Sequence, residues 1–231
     1  MKKELKLSSK KMQKEKKLKR NLRIALIIIF FILLLLYFVV GIIYNNGNFS
    51  ISLDRNLYFD KGLIIYDDPS YKVYRTELYA EAPKTFDDIS YKWLPSDISE
   101  HSGGTHNGNN YLAYTFYIEN QGEEVADYWS EVVIEDVIKN VDDAVRVRIY
   151  KNDEYVTYAK MGSEGVPEPN TVAFQEDNLV VREHTESFKP GDIDKYTIVL
   201  WIEGSDPECT DNILGGEFKV SMQFNSEYVE D

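Results

Sequence analysis

The sequence predicts a mainly β protein: an antiparallel two-sheet β-sandwich of jelly-roll or immunoglobulin-like kind, with a short helical insertion, behind one N-terminal transmembrane helix. Three observations point there. Ile24 to Ile43 runs twenty residues without a charge. Beyond it the apolar residues come in short runs that alternate with polar ones, the period of a half-buried strand. The chain is rich in Tyr (17) and Phe (11), which pack well on a pleated surface, and its single cysteine leaves no internal disulfide to replace a core.

At about 1.5 Å per residue the first segment makes a helix roughly 30 Å long, the thickness of a hydrocarbon core. A secretory signal has an apolar stretch of only about 7–15 residues followed by a small-x-small cleavage site. Here Tyr44-Asn45-Asn46-Gly47-Asn48-Phe49 follows, with no such site. The segment therefore reads as an uncleaved signal anchor. Residues 1–23 hold eleven Lys/Arg against Glu4 and Glu15, a net +9, so of the chain's −13 the rest carries −22. Basic flanks stay cytoplasmic. This predicts a single-pass plasma-membrane protein: a cytoplasmic tail (1–23) lying on anionic lipid, a span (24–43), a linker (44–50) and an extracellular domain (51–231). The acidic outer domain argues against nucleic acid as a partner.

Strand signals recur along the outer domain. Leu57 to Asp67 and Tyr71 to Ala80 are apolar and aromatic runs around the turn Asp67-Asp68-Pro69-Ser70, and their tyrosines read as buried. Leu112, Tyr114, Phe116 and Ile118 alternate with Ala113, Thr115 and Tyr117, and Asn120-Gln121-Gly122-Glu123 turns the chain into a strand from Val125 to Ile134. Ile134, Val137, Ile138 and Val141 then fall at i, i+3, i+4 and i+7, which predicts a helix of about two turns. Strands are expected again at 144–150, 155–161, 179–188, 196–202 and 218–224, with Lys189-Pro190-Gly191-Asp192 as a type II turn. About nine strands make a sandwich rather than an isolated sheet.

Chemistry is less evident. The loop from Pro95 to Asn110 carries His101, His106 and Glu100, a set that could ligate Zn²⁺ or Cu²⁺, although its Gly-rich spacing fits a solvated loop. Acidic turns, above all Asp206, Glu208 and Asp211, suit Ca²⁺, yet no EF-hand loop is present and no cofactor is expected. An anchor before a β domain with one late cysteine is also the plan of a sortase. However, Cys209 lies in the acidic turn Ser205-Asp206-Pro207-Glu208-Cys209-Thr210, which disfavours a thiolate, and no Arg follows it. A cysteine- or metal-dependent envelope enzyme stays the alternative; a non-enzymatic role is the expectation.

The stretch from Tyr111 through Glu119-Asn120-Gln121-Gly122, and the run Trp201-Ile202-Glu203-Gly204-Ser205-Asp206-Pro207-Glu208-Cys209 before the last strand, resemble the camelysin and TasA-like exported proteins of Gram-positive bacteria. The resemblance covers about half the chain and implies a β-sandwich with a structural or binding role in the cell envelope, related to surface or biofilm-matrix assembly. It implies no catalytic residues: Trp201, Gly204, Pro207 and Cys209 look like packing and turn positions. Partners expected on this basis are an envelope protein or a second copy, met by strand addition or an aromatic patch.

Overall fold

The computed structural model describes residues 2–44, 49–73, 75–83, 85–152 and 154–227. The chain divides into two compact units, residues 1–46 and 47–231. The first is one helix, α1 (Lys2–Tyr44). Its apolar stretch, Lys16–Val39, has a mean hydropathy of 3.0, and none of its window is buried. A rod with exposed Leu, Ile and Phe on every side is stable only in lipid or against a partner. It fits a signal anchor or a signal sequence. Of the expected linker, residues 45–48 lie outside the described residues, while Phe49 and Ser50 already belong to a strand.

The second unit is a sandwich of two sheets. Its strands are β1 (Phe49–Leu53), β2 (Leu63–Tyr66), β3 (Glu77–Ala80), β4 (Gly104–Thr105), β5 (Tyr111–Asn120), β6 (Ala126–Ile138), β7 (Val145–Lys151), β8 (Glu154–Ala159), β9 (Val172–Ala173), β10 (Leu179–Phe188), β11 (Ile193–Ile202) and β12 (Glu217–Asn225). Sheet A runs β10-β6-β12-β1-β3, and sheet B runs β2-β5-β11-β7-β8-β9 with β4 also on β5. Most pairs are antiparallel; β1–β12 and β8–β9 are parallel. The last strand, β12, lies inside sheet A between β6 and β1, so it offers no free edge.

Alternation decides which side chains meet. From β5 the even residues Leu112, Tyr114, Phe116 and Ile118 point inward, as do Tyr196, Ile198 and Leu200 of β11, against Val220, Met222 and Phe224 of β12. The odd residues Ala113, Val199 and Trp201 are buried as well, because the segment around Ile89 and Ile98 folds over the outer face of sheet B and makes a second, smaller cluster. Hence β5 and β11 are apolar on both faces. Asn120, fully buried, joins two turns: its Nδ2 donates to the carbonyls of Glu124 (2.9 Å) and Phe188 (2.8 Å), and its Oδ1 accepts from Gly122 N–H (2.9 Å). The Lys189–Asp192 turn forms as expected, with Gly191 at φ 86° and Asp192 N–H donating to Lys189 O at 2.9 Å.

Three local expectations change. The helical stripe at 134–141 is strand: β6 runs to Ile138, and only Val141–Asp143 forms a 3₁₀ turn. Opposite Lys219 and Val220 the register jumps from Asp136 to Ile134, so Glu135 is an extra, bulged residue. A bulge separates inward-facing residues by three instead of two, which mimics helical spacing. Second, the strand expected from Leu57 is a short helix, α2 (Arg55–Phe59), capped by Asp54, followed by β2. Third, the tyrosines there are not uniformly buried: Tyr66 is, but Tyr71 and Tyr79 are exposed, as is Phe59.

Candidate functional site

A cleft of about 860 Å³ opens on the outer face of sheet B. Its floor follows from parity. In β7, Val145, Val147 and Ile149 face the core, so Arg146 and Arg148 face outward beside Trp201 of β11 and Tyr155 and Thr157 of β8. The walls are the loop 162–171, stiffened by Pro167 and Pro169, and the turn 203–208.

Each floor residue is held by its neighbours. Arg146 is 4% exposed; its guanidinium pairs with Asp206 at short range and with Glu168 Oε2 at 3.4 Å, and donates to Val145 O at 3.2 Å. Arg148 donates from Nε to Thr157 Oγ1 (2.8 Å), and its guanidinium lies 4.6 Å from the ring centre of Tyr155 and 5.2 Å from that of Trp201. Cation–π contact with both rings holds the guanidinium, and among the described residues no carboxylate is paired with it. Glu203 accepts from Trp201 Nε1 (3.0 Å), Tyr91 N–H (2.9 Å) and Ser205 Oγ (2.6 Å). Burial pushes its carboxyl up, but these hydrogen bonds outweigh it and hold Glu203 below the usual range.

Among the described residues, one group of three carboxylates converges: ligand oxygens of Glu168, Asp206 and Glu208 lie within 4.8 Å of one another. Burial, then the charge of Asp206, raises Glu168; burial also raises Asp206, whereas hydrogen bonding from Ser163 brings Glu208 down to about 2. Among the described residues Arg146 is the cation that pairs with this group, through Asp206 and Glu168. Three side chains are few for Ca²⁺, which takes six to eight oxygens, and Asp206 already serves Arg146. Asp206 and Glu208 were among the residues singled out from sequence; Glu168 was not. Its only signal was its place between two prolines, since the fold and not the spacing brings it here. Asp211 lies apart, in the 3₁₀ turn Asp211–Ile213.

His101, His106 and Glu100 do not form such a group among the described residues. The two imidazoles stack instead, 4.1 Å apart and 2° from parallel. The His106 ring sits at 2.8 Å (Nε2) from Thr115 Oγ1, which meets Thr197 Oγ1 at 2.7 Å, so the loop is pinned to sheet B. Burial, then the neighbouring His101 and Lys195, lowers His106 to about 4. A histidine lowered from its usual value stabilises the fold fully above about pH 6.5, and that contribution is lost as pH falls toward 4. Between pH 6.5 and 4, wild type should lose roughly 1–2 kcal/mol more than His106→Gln in urea titrations, a figure discounted for the ring's partial exposure. Parallel losses would show that the ring is no more buried than an unfolded one.

Cys209 is half-buried against the core, and burial followed by Asp88, Asp206 and Glu203 pushes its thiol up. Neither it nor any of the three histidines lines the cleft. Trp201, 2% exposed, packs with Ile89 and Val199, whereas Gly204 and Pro207 of the following turn are exposed.

No protein-family model matches the chain, and no curated protein does. Among solved structures, a β-glucosidase from Kluyveromyces marxianus in complex with glucose is similar over 73% of this chain, at 14% identity and a TM-score of 0.24. The match spans 15% of that enzyme's length. AvmM, which catalyses macrocyclization in alchivemycin A biosynthesis, aligns over 53% of this chain and 83% of its own, at 9% identity and a TM-score of 0.21. Likeness this distant says nothing of function.

Proposed function

We propose that this chain is a single-pass membrane protein, N-terminus inside, that holds an acidic β-sandwich outside the membrane and binds an envelope ligand through the cleft on sheet B. The observation that carries the binding reading is the preorganised floor. Arg146 is fixed by two carboxylates and Arg148 by two aromatic rings, so polar groups stand ready in a concave site at little further ordering cost. Support for the placement comes from the apolar stretch of α1 and the +9 tail before it.

The test is photo-crosslinking in living cells with a benzophenone amino acid at Tyr155, in the cleft, or at Tyr79, exposed on β3 of sheet A. A discrete adduct is expected from position 155 alone, and protease added to intact cells should degrade it. Equal patterns from the two positions, or an adduct that protease cannot reach, would overturn the proposal.

A further inference from the structure

Sheet B is incompletely closed beside the cleft. β7 pairs with β8 from Glu154 to Ala159, but on the other side β9 pairs only with Tyr158 and Ala159. Phe174 N–H donates to Ala159 O at 2.9 Å, so the backbone of Ala159 faces β9. By two-residue alternation the N–H and C=O of Tyr155 and Thr157 face the same way. Among the described residues the β8–β9 pair uses Thr157 C=O, which accepts from Val172 N–H, and no backbone group meets the N–H and C=O of Tyr155 or the N–H of Thr157. Glu154, Tyr155 and Val156 are exposed. Such an edge is a template for another strand.

The side chains of Tyr155 and Thr157 also line the cleft, so a strand added here would send alternate side chains into it. What waits there is negative charge. Five carboxylates, Glu164, Glu168, Glu203, Asp206 and Glu208, line the cleft against two guanidinium groups, and Arg146 is already paired with Asp206 and Glu168. Tyr155 and Val166, 57% and 61% exposed, give apolar lips against which a long aliphatic stem can lie. A free metal ion or polyamine would use the carboxylates and leave the edge bare. A peptide uses both.

We infer that the bare edge of β8 and the acidic cleft beside it together bind an extended basic peptide segment. Its main chain adds to sheet B as a strand, and alternate Lys or Arg side chains reach Glu168 and Glu208. The inference rests on the cleft's being a binding site, and it names the ligand class.

The full chain in detergent micelles would be titrated, at physiological salt, into fluorescein-labelled peptides followed by anisotropy. The probes are alternating (Thr-Lys)4, its (Thr-Glu)4 counterpart, and two (Thr-Lys)4 isomers N-methylated on all Thr or on all Lys residues. We expect (Thr-Lys)4 to bind about tenfold or more tightly than (Thr-Glu)4. One N-methyl isomer, whose blocked nitrogens face β8, should bind about tenfold more weakly and the other nearly unchanged. Glu168→Gln with Glu208→Gln should cost (Thr-Lys)4 roughly fivefold. Absence of binding, equal affinity of all three Lys peptides, or displacement by spermine at the same concentration as by unlabelled (Thr-Lys)4 would overturn the inference; the peptide comparisons decide even if the double variant misfolds. An adduct at Tyr155 with a non-peptide molecule, alongside any of those results, would leave the cleft a binding site and remove only the peptide.

Discussion

Phe224→Ala should destabilise the outer domain by about 3–5 kcal/mol, enough to lower its melting temperature by roughly 6–20 °C. Phe224 is fully buried on β12, between Leu53 of β1 and Ser130 of β6 in register. Its ring meets Phe116 (5.9 Å), Tyr128 (5.7 Å) and Tyr196 (5.5 Å), each at 62–76°, so one side chain links both sheets by edge-to-face contacts. Alanine leaves a cavity whose aromatic walls are pinned elsewhere: Tyr128 donates to Asp194 at 2.5 Å and meets Tyr196 Oη at 3.2 Å. Collapse is therefore restricted, which places the loss toward the upper end. Phe224→Leu, which keeps much of the volume, should lose less than half as much. Urea unfolding followed by near-ultraviolet circular dichroism measures both; a loss below about 1 kcal/mol for alanine would mean that the sheets do not meet at this residue.

The alternation that made Phe224 inward was legible from sequence, as it was in β5 and β11, because period two survives wherever a strand is regular. It failed at Glu135, where one bulged residue turned the spacing of Ile134 and Val137 helical. It failed again at 55–59, where a single side-chain cap, Asp54 Oδ1 accepting from Asn56 N–H at 2.6 Å, favours a short helix over a strand. The cleft was legible only in part. Asp206 and Glu208 stood out as an acidic turn, but their meaning depends on Arg146 and Glu168, which arrive from β7 and a proline-flanked loop. Charge pairing between distant segments leaves no local pattern to read. The two histidines carried a stronger motif-like signal than Glu168 and turned out to pin a loop to the sheet.

Arg146→Met should cost about 3–5 kcal/mol at neutral pH, more than any surface ion pair could. The reason is what it leaves behind. The Asp206 side chain is wholly buried and Glu168 nine-tenths so, and without the guanidinium two carboxylates face each other with little solvent. Burial already raises Asp206, and losing Arg146 raises it further. A raised carboxyl is penalised when ionised, so the cost of Arg146→Met should shrink as pH falls from 7 toward 5 and the buried acid takes up a proton. Arg146→Met with Asp206→Leu should recover most of the loss, since replacing both partners of a buried pair by apolar groups is often close to neutral. Urea midpoints of the four proteins at pH 7 and pH 5 supply the cycle. Simple additivity at pH 7, or a cost independent of pH, would show that Arg146 is not the counter-charge of Asp206. Recovery of stability in the double variant has a functional corollary. If two apolar residues fold as well as the ion pair, then stability does not explain why the floor is charged, and the pair's remaining role is to hold Glu168 and the 203–208 turn where a ligand would meet them.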